Sequence, residues 1–286
     1  ILGNITAGTL ALRGGMVIGD DNYYCVSNSC DYFTWFTGAI SQNVGTTIKA
    51  GQLYIRARDA SAGSGTINLT NATNEFKFIN RILHYGPVSI FDADTEGNAL
   101  QINSHISEGS NQHAIKVETL GNLTVDGIQI HGYGVVLAGK SITSSADIWS
   151  GVGDLILRPN GGSVTLSGTQ RSNSSAQSFY IQNASNVQLG YIENNFAKLQ
   201  FGEDAVTASV SASQSVTAQG GAVTINGSAA ASSVATSSRG NRIVITSAAD
   251  DSARTFTVTG TDMFGRALTE TITGANAAAA SGSKYF

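Results

Sequence analysis

The sequence predicts an all-β protein in which a parallel β-helix (β-solenoid) is followed by a small antiparallel β-sandwich module. Three observations predict it. Pairs of apolar residues two positions apart recur from Thr46 to Phe201, with no helical segment between them. Only 13% of the 286 residues are charged while Gly, Ser, Thr, Asn and Ala crowd the chain, a composition that suits short strands between Gly and Asn turns. From Arg242 to Ala280, finally, the alternation is clean and the turn chemistry falls where strands must reverse, which reads as three strands of a half-buried antiparallel sheet.

Ile5, Leu10 and Leu12 alternate around Gly residues, so the chain starts inside β structure. An aromatic insertion near residues 20–40 follows, with Tyr23, Tyr24, Tyr32, Phe33, Trp35 and Phe36 close together. Such a density could stack on sugars or on a neighbouring chain, or fold down over the open end of a β core. Cys25 and Cys30 sit in the same segment; a local disulfide and a pair of reduced thiols are both compatible with their spacing. No His or second Cys pair stands by to complete a metal site.

Strand centres then fall at Ile48, Leu53/Ile55, Ile67/Leu69, Phe76/Phe78, Val88/Ile90 and Leu100/Ile102. They continue at Ile115/Val117, Leu123/Val125, Ile128/Ile130, Val135/Leu137, Leu155/Leu157, Val164/Leu166, Ile181, Val187/Leu189 and Leu199/Phe201. Segments such as GNLTVDGIQIHGYGVVLAG put Gly, Asn or Asp at corners and β-branched residues inside, the pattern of coils stacked at about 4.8 Å in a right-handed parallel β-helix. Large apolar residues thin out beyond Phe201, which divides the chain into a solenoid at 1–204 and a β module at 205–286. In the module, strands are expected near Val206–Val210, Val223–Ile225, Ile243–Ile245, Phe256–Val258 and Leu268–Ile272, with room for a helical turn at Ala277–Ala280. Thr261 to Arg266 reads as a hairpin turn, with Asp262 bonding its own backbone and Gly265 free to take positive φ. The segment stops on Lys284-Tyr285-Phe286 while still reading as strand, and it starts on Ile1, so a longer polypeptide is expected around it.

Chemistry is sparse. Asp92 and Asp94 could form an acid/base pair on one strand face or bind a cation, but Asp-x-Asp-x-x-Gly after a strand is ordinary turn chemistry. His84, His105, His113 and His131 show no pairing spacing, and no nucleophile elbow, zinc helix or phosphate loop is present. Several Asn-x-Ser/Thr triplets are what chance gives in a chain this rich in those residues. A net charge of −4 without a basic run argues against nucleic acid. No apolar stretch approaches the roughly 20 residues that span a bilayer. Neither a cofactor nor a metal is expected.

The stretch RIVITSAADDSARTFTVTGTDMFGRALTETITGANAAAASGSKYF resembles a module of tailed-bacteriophage structural proteins, in which TFTVTGTDxxGxxLTETITGxN is followed by a Lys-aromatic strand. The likeness covers about residues 205–286 and is most specific from Ile243 to Asn276. It implies a non-enzymatic virion component (tail, fibre or surface appendage) that works in assembly or host attachment, with other virion proteins, further copies of itself in a homo-oligomer such as a trimer, and a cell-surface glycan as partners. It transfers no catalytic residue. The first 200 residues are similar only in general to phage fibre shafts and to secreted bacterial adhesins. A haemagglutinin-like adhesin of the bacterial surface and a polysaccharide-degrading tailspike therefore stand as alternatives.

Overall fold

The computed structural model describes residues 5–13, 40–57, 66–84, 86–103, 106–108, 113–127, 129–172, 175–193, 196–202, 210–215, 220–236 and 240–286. These residues contain no helix. The chain divides into two compact units, Ile1–Gly202 and Glu203–Phe286.

The first unit opens with β1 (Ile5–Arg13), β2 (Ile40–Ser41), β3 (Ile48–Ala57), β4 (Ile67–Leu69) and β5 (Glu75–His84). Three strands per turn follow: β6 (Val88–Asp92), β7 (Leu100–Ile102) and β8 (Ile106–Glu108), then β9 (Ile115–Thr119), β10 (Leu123–Val125) and β11 (Gln129–Gly132). The next turns are β12 (Val135–Gly139), β13 (Ile142–Ser144) and β14 (Asp147–Ser150), and β15 (Leu155–Pro159), β16 (Ser163–Leu166) and β17 (Thr169–Ser172). β18 (Ser178–Ile181), β19 (Asn186–Gln188), β20 (Tyr191–Ile192) and β21 (Lys198–Phe201) finish the unit.

Every pairing in this unit is parallel and joins one turn to the next, giving a β-solenoid of about six turns with three faces. One face is the eight-stranded sheet β2-β4-β6-β9-β12-β15-β18-β21. The second and third are the arms β7-β10-β13-β16-β19 and β8-β11-β14-β17-β20, which meet on β5. β3 and β5 are ten residues long because each runs across both faces, and a register shift at Leu53/Tyr54 interrupts their pairing. Ile115, Val135 and Leu155 stack in register on the first face at 20-residue intervals. The interval lengthens to 24 from Leu155 to Phe179 and to 27 from Val88 to Ile115, as corners take up extra residues. That variation is why no fixed repeat is visible in the sequence.

Inward side chains form columns along the solenoid. Leu69, Ile90, Val117, Leu137, Leu157 and Ile181 line the first face, all essentially without solvent exposure. On the third face Ile55, Ile82, Ile106, Ile130 and Ile148 align, each stacking on the residue one coil away. Each such side chain contributes about 1.5–3 kcal/mol of burial free energy. The sixth position of the isoleucine column is Gln170, fully buried. Its amide nitrogen donates to the Gly168 carbonyl at 2.8 Å, and its Oε1 has no hydrogen-bond partner among the described residues.

In the second unit the described strands are β22 (Ala230–Ala231), β23 (Val234–Ala235), β24 (Arg242–Thr246), β25 (Thr255–Thr261), β26 (Ala267–Thr273) and β27 (Ala279–Tyr285). They pair antiparallel as β22-β23, β24-β27 and β25-β26. The β25–β26 hairpin turns as its residues dictate: the Asp262 carboxylate accepts from the amides of Phe264 (2.8 Å) and Arg266 (3.0 Å), and Gly265 adopts φ 77°. Three expectations are corrected. Val223–Ile225 is not a strand; at Thr224 the chain is held instead by the Gln214 side chain, which bonds both its amide and its carbonyl at 2.9 Å. Ala277–Ala280 is no helical turn, because Ala277 takes φ 45° and the chain enters β27 at Ala279. Ile243–Ile245, Phe256–Val258 and Leu268–Ile272 do not form one sheet, since β24 pairs with β27 rather than with β25. The strand expected at Val206–Val210 lies largely outside the described residues.

Replacing Gln170 by Leu removes a buried unmatched acceptor from an apolar column, and the solenoid's unfolding free energy is expected to rise by about 1 kcal/mol. Ile148→Ala in the same column is expected to lower it by about 2–5 kcal/mol. Urea unfolding followed by circular dichroism checks both; a destabilised Gln170→Leu would contradict the account of the column.

Candidate functional site

At the corner where the first face turns into the second, polar side chains form a column of their own inside the solenoid. Gln42 and Asn74 exchange two amide hydrogen bonds, at 2.7 and 2.8 Å, and Asn74 also accepts from the Ile48 amide at 3.0 Å. One coil on, Asp92 ends β6 with no solvent exposure. Its Oδ1 accepts from the Phe76 amide and its Oδ2 from the Thr119 hydroxyl, both at 2.7 Å, and Thr119 Oγ1 in turn accepts from the Gly121 amide. These side chains close the first backbone donors of strands that have turned a corner, where no ladder carbonyl is aligned to receive them.

Asp94 does not share a strand face with Asp92. It lies beyond the strand in a turn with φ 48°, where the Gly97 amide donates to its carbonyl and the Asn98 amide to its carboxylate. Gly121 leaves the room this side chain needs, since a Cβ there would stand 2.0 Å from Asp94 Oδ2. A third carboxylate completes the group: Glu75, nearly buried, accepts from the amide of Thr95 at 2.8 Å and from its hydroxyl. Burial is the chief cause that pushes the Asp92 carboxyl up to about 6; the Phe76 and Thr119 hydrogen bonds oppose it, and the charges of Glu75 and Asp94 add to it. Asp94 is raised too, by burial and then by Glu75, against the Asn98 amide and Lys140. A carboxylate with no exposure whose two oxygens already serve one backbone amide and one hydroxyl has no open side for a substrate. Asp92 thus serves the backbone of the corner, and among the described residues no group of His, Cys, Asp and Glu is placed to hold a metal ion.

On the outer surface of the third face, register lines up His131, Trp149 and Arg171, one per coil, and Glu193 follows just beyond β20. The His131 and Trp149 rings stack at 4.0 Å and 7°, the Arg171 guanidinium lies 4.5 Å from the Trp149 centroid, and Arg171 pairs with Glu193 at 3.8 Å. Both faces of the indole are thus occupied, so Trp149 is no platform for a sugar ring. His84 is buried with Nδ1 2.7 Å from the Gly86 carbonyl, and His113 is half-buried. His105, the aromatic residues Tyr23, Tyr24, Tyr32, Phe33, Trp35 and Phe36, and Cys25 and Cys30 lie outside the described residues.

In the second unit Glu270, on β26, reaches across to β27. Its carboxylate accepts from the amide (2.6 Å) and hydroxyl (2.8 Å) of Ser283 and from the amide of Lys284 (3.3 Å), while Lys284 Nζ donates to the Thr269 carbonyl at 2.7 Å. Gly282 permits this approach, because a Cβ there would sit 2.4 Å from Glu270 Oε2. Burial pushes the Glu270 carboxyl up, but the Ser283 and Lys284 contacts outweigh it and hold the group below its ordinary value. Sequence reasoning passed over Glu75, Glu270 and the Trp149 column. Glu270 sits in a strand of threonines at an inward position, a local signal that could have marked it; the other two depend on coil length.

The comparisons with protein families, with curated proteins and with solved structures find no match for this chain.

Two pH responses of opposite sign follow. Asp92 binds its proton more tightly folded than unfolded, so its stabilising contribution is complete below the ordinary 3.8 and is lost as pH rises through about 6. The stability difference between Asp92→Asn and the parent chain should shift in the variant's favour from pH 5 to pH 8; a pH-independent difference would refute the assignment. Glu270 is the reverse case, contributing fully at neutral pH and losing that contribution as pH falls through the carboxylate range. Glu270→Ala is expected to cost about 1–3 kcal/mol at pH 7 through the amides it strands, as read by chemical denaturation.

Proposed function

We propose that this chain is a non-enzymatic structural component of a tailed-bacteriophage particle, in a tail, fibre or surface appendage, acting in assembly or in attachment to the host surface. The observation that carries the structural half of this reading is the stacking of parallel coils around apolar columns, which makes the first unit a rigid rod. The phage half rests on the resemblance from Ile243 to Asn276. We read the second unit as a small β-sandwich whose layers are the ribbons β24–β27 and β25–β26. Glu270 reaching Ser283 and the Phe286 ring lying against Gly260 support that reading. The chain works in a homo-oligomer with other virion proteins around it, and a cell-surface glycan is the class of host ligand.

The non-enzyme reading is supported by where the acidic side chains go. Asp92 is closed off, Asp94 and Glu75 are tied to turn amides, and in the second unit Asp250, Asp251, Asp262 and Glu270 bond Ser252, Arg254, Arg266 and Ser283.

Mass spectrometry of purified phage particles whose genome encodes the chain is expected to find it in stoichiometric amount. Its absence from particles, with the protein recovered from the bacterial surface, would favour the adhesin reading. Host polysaccharide incubated with the protein is expected to keep its chain length. Depolymerisation that is lost in Asp94→Asn would establish the tailspike reading instead.

A further inference from the structure

The β25–β26 ribbon has one long edge against which no other strand lies among the described residues. The Gly274 amide bonds the Arg254 carbonyl at 2.9 Å at one end of the ladder, and the Asp262 amide bonds the Arg266 carbonyl at 3.0 Å at the other. Hydrogen-bonded pairs alternate in an antiparallel ladder, so between those ends the bonded pairs are Phe256/Ile272, Val258/Glu270 and Gly260/Leu268. The amides and carbonyls of Thr255, Thr257, Thr259 and Thr261 therefore point away from β26, and among the described residues no strand lies against them.

Proteins ordinarily guard such a row with charge, proline or a bulge. The far side of β26 is guarded, because Lys284 Nζ bonds the Thr269 carbonyl. β24 carries Arg242 and a register shift between Arg242 and Val244. β25, with the sequence TFTVTGT, has seven residues and neither charge, proline nor bulge. Charged neighbours at its ends are neutralised within the chain, Arg254 by Asp251 at 3.0 Å and Arg266 by Asp262 at 2.6 Å. An uncharged regular edge suits backbone pairing with another strand rather than recognition by charge.

The sequence of the edge also says which strand. Turned end over end about Thr257, the segment maps onto itself: Thr255 meets Thr259 of a second copy, Phe256 meets Val258, and Thr257 meets Thr257. The threonines would make the outward-facing hydrogen-bonded pairs, and Phe256 opposite Val258 would occupy the close non-bonded pairs in which side chains touch best. Arg254 would fall opposite Gly260, so no like charges meet. We propose that β25 is a homodimerisation edge: two copies of this chain join antiparallel through β25 about a twofold axis at Thr257, fusing their hairpins into one four-stranded sheet β26-β25-β25-β26.

This gives a geometry to the homo-oligomer of the proposed function and rests on that part of it alone. A chain found in particles but assembled otherwise would overturn the pairing and leave the particle reading standing. The test uses the full chain at micromolar concentration in light scattering and native mass spectrometry. The parent chain is expected to have an even number of copies. Thr257→Pro, which deletes an amide that the β25–β26 ladder does not use, is expected to reduce the mass about twofold. Thr271→Lys, on the partner strand, is expected to leave the mass unchanged. As a check independent of folding losses, Thr257→Cys in a chain carrying Cys25→Ser and Cys30→Ser should oxidise to a covalent dimer, whereas Thr271→Cys should not. A monomeric parent chain, an odd stoichiometry, or an assembly unchanged by Thr257→Pro would overturn the proposal.

Discussion

The first unit depends on one constraint: each coil must satisfy its backbone on the coils above and below, in parallel register. Once that register is set, a side chain's neighbours are the residues one coil away, and like environments stack on like. Hence the runs of isoleucine and leucine, whose burial supplies the favourable free energy, and hence also the polar column of Gln42, Asn74, Asp92 and Thr119 at the first corner. A ladder interrupted by a corner leaves backbone donors without a strand carbonyl opposite. An amide or carboxylate side chain fills that role where the corner is tight.

This division of labour accounts for the character of the acidic groups. Asp92 is costly to ionise because the coil surrounds it, yet it is held by bonds that its ionised form makes best, so burial and hydrogen bonding pull against each other. In the second unit Glu270 meets the same opposition with the other result, because more donors converge on it and Lys284 lies beside it. Both carboxylates spend their oxygens on donors of their own chain. The interest of the second unit lies in its backbone: short antiparallel ribbons held together by side chains expose more edge than a solenoid does.

Period-two alternation made the first and second faces legible, since Val135/Leu137 or Leu123/Val125 each declare a strand by themselves. The third face was harder to see. β14 offers one inward isoleucine, and β17 puts Gln170 and Ser172 inside, so no apolar pair betrays either strand. The hairpin at Thr261–Arg266 was readable because an Asp side chain and a Gly suffice to build it locally. The pairing of β24 with β27 was not readable, because it joins segments separated by the whole hairpin, and alternation reports which face a residue takes, not which strand lies beside it. Among the acidic residues the turn role of Asp94 was visible in its motif, whereas its Glu75 neighbour comes from the preceding coil and leaves no trace in local spacing.

The hydrogen bonds between coils run along the axis of the rod, and this decides how it bears load. A pull along that axis stretches every bond of a gap between two coils together, so a gap resists as a sum. A pull applied through the chain itself, peeling one terminal coil from its corner, breaks those bonds in succession and meets far less resistance. A solenoid built this way is strong when gripped by its coils and weak when held by its end, and the coil that buries Gln170 and Ser172 on its third face brings less apolar cohesion to such a gap than its isoleucine-bearing neighbour.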